Sequence, residues 1–126
     1  MSKPLRGVIV SHVGVADALV AAVRSIAGIE DALVPVSNEG CDREMLFRNL
    51  AAAVGDSSAV LFIDLPGGSC LASAATYAHG KPELAVVTGV NLAMLLDFVF
   101  HRDLPPAEAA RHAAAAGNRA IRALES

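Results

Sequence analysis

Two residues that lie far apart in the sequence, His12 and Asp64, each follow a short run of apolar residues. A neutral imidazole has one N–H and one free lone pair, so a carboxylate that accepts the N–H fixes the tautomer and the ring orientation. The other nitrogen is then a positioned nucleophile, and the carboxylate stabilises the cation that forms when this nitrogen is bonded. The pair predicts nucleophilic chemistry if the fold brings the two residues together; a purely structural tie between two loops is the alternative.

A glycine-rich turn, Gly67-Gly68-Ser69, closely follows Asp64. Glycine permits unusual backbone angles and close approach of a ligand, and Ser69 is predicted to cap the helix that follows. Free backbone N–H groups at a helix start bind anions, so a phosphoryl group could be held here without lysine or arginine. An ordinary strand-to-helix turn is the alternative interpretation.

Several more specific motifs are absent from this loop. It lacks the lysine of a nucleoside-triphosphate P-loop and the GxGxxG spacing of a dinucleotide site. Leu71 occupies the second glycine position of a nucleophile elbow, which makes a small hydrolase using Ser69 with His12 the weakest hypothesis.

The remaining histidines and the cysteines give no metal or redox motif. His79, His101 and His112 fall near predicted helix ends or on a helix face, where they are predicted to be solvated, and nothing pairs them as metal ligands. Cys41 and Cys70 fit neither zinc nor CxxC spacing and are predicted to be free thiols.

Strands and helices are predicted to alternate along the chain, each strand being a buried apolar run. The predicted strands are Leu5–Val10, Ala32–Ser37, Ser58–Leu65 and Leu84–Val90. Five helices are predicted. In the first, apolar residues recur at helical spacing at Val15, Leu19, Ala22, Val23 and Ile26. The second is capped by Asp42 and has the buried stripe Met45, Leu46, Leu50 and Val54, and the other three are Cys70–Ala78, Leu92–Phe100 and Pro106–Leu124.

This alternation predicts an α/β fold, a three-layer α/β/α sandwich with a mainly parallel sheet. Pro35 cannot donate to a strand ladder, so the second strand is predicted at an edge, which gives the flavodoxin-like order 2-1-3-4. An extra edge strand, or a helix exchanged in a dimer, is left open. Ligands of such sheets bind beyond the carboxyl ends of the strands where the winding reverses, between strands one and three. His12 and Asp64 follow these two strands.

Composition limits the class of protein. The 126 residues are 54% hydrophobic with a net charge of −3, which predicts one domain, residues 1–126, with a substantial core. There is no basic cluster for a nucleic-acid backbone and only 4% aromatic residues for base stacking. No signal peptide is recognised, and Leu84–Phe100 is interpreted as a strand and a helix, so we expect a cytoplasmic protein without direct membrane insertion.

Four segments together resemble a known family: VIVSHVGVADALV, VPVSNEG, VLFIDLPGGS and VVTGVNLAMLLDFVFHR. They are similar to the mannose/fructose-type enzyme IIA domain of the bacterial phosphoenolpyruvate-dependent sugar phosphotransferase system (PTS), over nearly the whole chain. The resemblance implies a phosphotransferase component of sugar uptake with a phosphohistidine intermediate. His12 would accept a phosphoryl group from the carrier HPr and pass it to an enzyme IIB partner, in a transport or regulatory role.

The resemblance also assigns roles to the neighbouring residues. It implies that Asp64 orients His12 and balances its charge, and that Gly67, Gly68 and Ser69 hold the phosphoryl oxygens. It implies neither a metal nor an organic cofactor, and it implies a homodimer that exchanges a C-terminal element.

The sequence departs from the family pattern close to these residues. Val13 stands where a glycine usually follows the histidine, and Cys70-Leu71-Ala72 replaces the usual Pro-x-Asn. Ala93 replaces a proline, and Ile63 replaces the threonine that commonly precedes the aspartate. An interaction or sensor module that keeps the enzyme IIA fold without being phosphorylated is therefore the alternative function.

Overall fold

The computed structural model describes residues 3–125, in which parallel strands alternate with helices. The strands are β1 (Arg6–Ser11), β2 (Leu33–Ser37), β3 (Ala59–Ile63) and β4 (Leu84–Thr88). The helices are α1 (Val15–Ala27), α2 (Arg43–Val54), α3 (Gly68–Ala78), α4 (Leu92–Phe98) and α5 (Pro106–Arg119). Each predicted strand and helix is present, with ends that differ by a few residues from the predictions.

The four strands form one parallel sheet in the order β2-β1-β3-β4, which confirms the predicted topology. β1 lies between β2 and β3, with Val10 opposite both Val36 and Ile63. Pro35 lies opposite Ile9 on the edge strand, where its missing N–H costs no ladder bond to a further strand. The carboxyl ends of β1 and β3 therefore lie side by side.

Helices cover both faces of the sheet, so the fold is the expected three-layer sandwich. Ile9 and Phe62 point toward the layer formed by α1, α4 and α5, where Phe62 packs edge to face on Phe98. Val8 and Leu61 point toward the layer formed by α2 and α3. This alternation buries both faces of the central strands and explains why β1 and β3 are continuous apolar runs rather than alternating ones.

Of the apolar positions predicted for α1, Val23 is buried, whereas Val15 and Ile26 are exposed. Ala16, Val20 and Val23 are the buried residues, at spacings of four and three, whereas Val15 and Ile26 are 44% and 62% exposed. The apolar residues are spread around much of this helix, so periodicity alone did not show which of them face the sheet. In α2 the predicted Leu46, Leu50 and Val54 are buried, and Met45 is exposed.

The predicted helix boundaries are correct where the sequence carries specific end signals. Gly28 ends α1 in the left-handed conformation at φ 71°, and the Asp42 carboxylate accepts the Met45 N–H to cap α2. The predicted cap by Ser69 is wrong. Gly67 is the extended residue before α3, so Ser69 lies within the first turn, and the cap makes no side-chain hydrogen bond.

The last helix is shorter than predicted and ends at Arg119 rather than Leu124. The residues that follow include Ile121 and Leu124, which are 73% and 92% exposed and have no core to pack against. The described part of the chain has no fifth strand, and exchange of a C-terminal element stays a prediction. Within residues 3–125, every helix is too short or too polar to cross a membrane.

Candidate functional site

His12 and Asp64 are brought into contact by the pairing of β1 with β3. Val10 lies opposite Ile63, and the chain continues from these residues to Ser11-His12 and to Asp64. The Asp64 N–H donates to the Val10 carbonyl, which extends the ladder past the end of β3. The predicted proximity of the imidazole and the carboxylate at the winding reversal is thereby confirmed.

One carboxylate oxygen holds His12 by two hydrogen bonds. Asp64 Oδ2 accepts from the His12 backbone N–H at 2.8 Å and lies 2.8 Å from His12 Nδ1. An ionised carboxylate can only accept, so Nδ1 carries the proton and Nε2 keeps the lone pair. Nε2 makes no hydrogen bond to the described residues, and the His12 side chain is 38% exposed. The arrangement presents a fixed, accessible nucleophilic nitrogen.

The electrostatics keep Asp64 charged. Burial alone would raise the pKa of its carboxyl, but the hydrogen bonds from the His12 backbone and imidazole, and the charge of that ring, outweigh burial and lower the pKa. The Leu65 backbone N–H adds to this stabilisation. A carboxylate that stays ionised beside Nδ1 stabilises positive charge on the ring.

The turn into α3 closes one side of the imidazole. Gly68 has φ 86°, and a Cβ built there would lie 4.0 Å from both Cε1 and Nε2 of His12. The first backbone N–H groups of α3 have no partners within the helix, because every α-helix begins with such free donors. These donors and the free imidazole nitrogen lie at the same end of the sheet. This arrangement suits an anion that is bonded to Nε2.

Val13 takes a backbone conformation that is rare for a β-branched residue. Its φ is 50°, and its side chain is 61% exposed. Two polar side chains after β2 hold this turn: Ser37 Oγ donates to the Val13 carbonyl at 2.7 Å, and the Val13 N–H donates to Asn38 Oδ1 at 3.1 Å. The glycine expected here would have met the same backbone demand without steric strain.

Sequence reasoning overlooked Ser37 and Asn38, although a signal was present. β2 neighbours β1 in the predicted order, so polar residues at its carboxyl end must lie beside those after β1. Ser11 has a structural role that the sequence did not predict: its buried hydroxyl accepts the Ala16 N–H at 2.7 Å and so fixes the start of α1 behind His12.

Cys70 lies beneath the pair. Its sulfur and the nearest nitrogen and oxygen of His12 and Asp64 are all within 4.8 Å of one another. The thiol is buried, and burial together with the charge of Asp64 raises its pKa. A protonated thiol is a poor nucleophile, so Cys70 is a packing residue under the carboxylate. Asp64 Oδ1, also buried, has no hydrogen-bond partner among the described residues.

Two of the remaining histidines are not isolated, which corrects the prediction made for them. Asp97 contacts both His101 and His112, and the two imidazole rings lie against each other. The sequence does not show that these three residues are in contact, because His112 reaches Asp97 only through the packing of α5 on α4. Both cysteines are free, as predicted.

Residues 7–115 match the sequence model of a family described as the PTS system fructose IIA component, EIIA-man. The chain belongs to this family. The match covers most of the chain, and the resemblance found in the four sequence segments is thereby confirmed. A comparison with curated proteins gave no match.

Solved structures share the fold of this PTS IIA chain at low sequence identity. The PTS component EIIA from Streptococcus agalactiae has a TM-score of 0.86 at 20% identity, over 94% of this chain and 96% of its own. The mannose/sorbose-specific IIA subunit from Enterococcus faecalis has a TM-score of 0.84 at 24% identity, over 98% and 97%. A sigma-54 interaction domain protein from the same species has a TM-score of 0.75 at 9% identity, over 97% and 96%.

Proposed function

We propose that this PTS IIA family chain is a phosphocarrier that accepts a phosphoryl group on His12 Nε2 from HPr and passes it to an enzyme IIB partner. The observation that carries the proposal is the pair of hydrogen bonds to Asp64 Oδ2. They fix the Nδ1–H tautomer and leave Nε2 free beside the Gly67-Gly68 turn.

The transfer step needs only an aligned nucleophile and charge stabilisation. The lone pair of His12 Nε2 attacks the phosphorus of phosphohistidine on HPr, an N–P bond forms, and the N–P bond to HPr breaks. The HPr imidazole leaves with the electron pair of that bond, and His12 gains positive charge that Asp64 balances across Nδ1–H. In the second transfer a nucleophile of enzyme IIB attacks the phosphorus, a bond to enzyme IIB forms, the N–P bond to His12 breaks, and the His12 imidazole leaves with its electron pair.

The surroundings of His12 support both an anion and a protein partner. Free N–H groups in the first turn of α3, from Gly68 through Ser69, are suited to bind the phosphoryl oxygens. Val13 and Leu65, which are 61% and 55% exposed, form an apolar rim with Pro66. Such a rim excludes water from the N–P bond and offers HPr and enzyme IIB a common contact surface.

The same proposal covers the domain organisation, location, oligomeric state and biological role of the protein. Residues 1–126 form one domain that works in the cytoplasm, as a homodimer, for sugar uptake or its regulation. Support for the dimer comes from the exposed apolar residues Ile121 and Leu124 and from β4, which lies at an open edge of the sheet.

Phosphorylation of the purified protein tests the proposal directly. The chain is incubated with radiolabelled phosphoenolpyruvate, enzyme I and HPr of the same organism, and the label is tested for stability in acid and base. We expect an acid-labile, base-stable label on the wild type and on His79→Gln, a matched surface-histidine control, and none on His12→Gln. Phosphorus–proton correlation NMR should place the phosphoryl group on Nε2, because Asp64 occupies Nδ1.

Two outcomes would reject the proposal. Equal labelling of the wild type and His12→Gln would show that His12 is not the acceptor. No labelling of either protein would favour an interaction or sensor module that keeps the fold, a use consistent with the fold likeness to the sigma-54 interaction domain protein.

A further inference from the structure

A second group of chemically active side chains lies away from His12, where the end of α4 meets α5. Asp97 is near the end of α4, His101 follows in the turn after it, and His112 is on α5. One ligand atom from each of the three residues lies within 4.8 Å of the others. The proposed phosphotransfer uses none of them.

Hydrogen bonds to Asp97 fix the tautomer of both rings. His101 Nδ1 lies 2.7 Å from the Asp97 backbone carbonyl, and His112 Nδ1 lies 2.8 Å from Asp97 Oδ2. A carbonyl and an ionised carboxylate only accept, so each Nδ1 carries a proton and each Nε2 keeps its lone pair. Neither Nε2 has a hydrogen-bond partner within residues 3–125.

The two rings are arranged as neighbouring ligands. Their centroids are 4.1 Å apart with an interplanar angle of 35°, so the rings are in contact but tilted relative to each other. The side chains are 38% and 43% exposed for His101 and His112, while Asp97 is 14% exposed. An ion can therefore reach the imidazoles from solvent, and the carboxylate behind them is held in the protein.

We propose that His101 and His112 bind a divalent transition-metal ion of the zinc, cobalt or nickel type through their Nε2 atoms. Asp97 orients the rings through Nδ1 and balances the charge. Metal-bound histidines usually donate their other N–H to a carboxylate or a backbone carbonyl, and this site offers one of each. Imidazole nitrogen suits these metals and disfavours magnesium and calcium, which select oxygen ligands.

Binding of one ion by both Nε2 atoms requires the two side chains to move toward a common point. Donor atoms on tetrahedral zinc lie about 3.3 Å apart, given zinc–nitrogen bonds of about 2.0 Å. Both imidazole side chains are partly exposed, so they can rotate to bring their Nε2 atoms to this spacing. The bound ion would join the turn after α4 to α5, so it would also stabilise the fold against unfolding.

Metal titration of the full, untagged chain tests the site. Isothermal titration calorimetry with Zn²⁺ and optical titration with Co²⁺ should both show saturable binding at this cluster. We expect at least tenfold weaker binding in His101→Gln and in His112→Gln, and a loss of about tenfold or more in Asp97→Asn, in which the orienting carboxylate becomes a neutral amide. His79→Gln is the matched histidine control and should bind as the wild type does.

The cobalt spectrum separates this site from the other candidate group, His12, Asp64 and Cys70. A site of imidazole nitrogens gives only weak visible bands, whereas a bound thiolate adds an intense near-ultraviolet charge-transfer band. We expect no such band and unchanged binding in His12→Gln. Far-ultraviolet circular dichroism checks that each variant is folded.

Three results would overturn the proposal. They are no saturable binding at millimolar Zn²⁺ or Co²⁺, wild-type affinity in the folded His101→Gln/His112→Gln double variant, or a cobalt spectrum dominated by the thiolate band.

Discussion

The loops after β1 and β3 and the junction of α4 with α5 contain the same chemical unit in two settings. In each, an aspartate oxygen lies 2.8 Å from a histidine Nδ1, the carboxylate is largely buried, and the imidazole is partly exposed. The free Nε2 of His12 faces Gly68 at the start of a helix. The free Nε2 of His112 belongs to a ring that packs on a second imidazole.

The difference shows that the histidine–aspartate pair does not by itself determine the chemistry. The pair supplies a fixed lone pair, and the neighbouring groups decide what that lone pair bonds to. Backbone N–H donors at a helix start favour an anion such as a phosphoryl group. A second lone pair from His101 favours a cation, which needs several donors at once. The two regions are therefore suited to ligands of opposite charge.

The largest expected effect comes from making the same substitution in both regions. Asp64→Asn keeps the shape of the side chain but removes the charge that balances a phosphorylated His12. We expect the rate of phosphorylation by HPr to fall on the order of 100-fold. Asp97→Asn should leave that rate within twofold of the wild type. Both rates are measured by rapid quenching of the labelled reaction.

An equal fall in the phosphorylation rate of Asp64→Asn and Asp97→Asn would contradict the separate roles of the two regions. That result would mean that the carboxylates act through overall stability, and thermal unfolding of both variants would show it. The reverse pattern is expected for metal affinity, which Asp97→Asn lowers and Asp64→Asn does not. Opposite effects of matched substitutions are difficult to explain by a general loss of structure.

The first region was predictable because it depends on strand order. Alternating elements and Pro35 gave the order β2-β1-β3-β4, and parallel strands place residues after β1 beside residues after β3. His12 and Asp64 could therefore be paired across the chain, with α3 beginning at the glycine turn that follows. No side-chain packing had to be known.

The second region was not predictable because it depends on how two helices pack. His112 lies 15 residues from Asp97, and only the contact of α5 with α4 brings them to 2.8 Å. The same limit applies to α1, where Ala16 is buried and Val15 is exposed. Helix rotation is set by tertiary packing, to which an apolar pattern spread around the helix is a poor guide.

A smaller effect, on the free energy of unfolding, is expected from a substitution in the strained turn at Val13. Val13→Gly removes a β-branched side chain from a residue at φ 50° that is 61% exposed, so little packing is lost. Relief of left-handed strain, about 1–2 kcal/mol, should exceed the added entropy of glycine in the unfolded chain, about 0.5–1 kcal/mol. We expect the free energy of unfolding to rise by up to about 1 kcal/mol in urea denaturation.

Val13→Ala is the matched control for this turn, because alanine loses the branched side chain but keeps a Cβ at positive φ. Its stability should lie between those of the wild type and Val13→Gly. A less stable Val13→Gly would show that Val13 makes a favourable contact that outweighs its strain. It would then be a packing residue of the rim around His12.

The smallest expected effect is the acid sensitivity of the first region. The folded-state pKa of Asp64 is below its ordinary value of 3.8, so the unfolded chain binds the proton more readily than the folded one. The stabilisation from this carboxylate is complete above pH 3.8 and decreases as the pH falls below that value toward the lowered pKa. Asp64→Asn cannot titrate. The difference in unfolding free energy between the wild type and Asp64→Asn should therefore shrink over this acid range, in urea denaturation repeated from pH 7 downward.

His12→Gln should show a weaker acid dependence than the wild type, because the imidazole bond is lost and the backbone bond to Asp64 remains. Parallel pH profiles for the wild type and Asp64→Asn would mean that the two hydrogen bonds from His12 do not stabilise the charged carboxylate, and the electrostatic basis of the proposed phosphoacceptor site would fail with them.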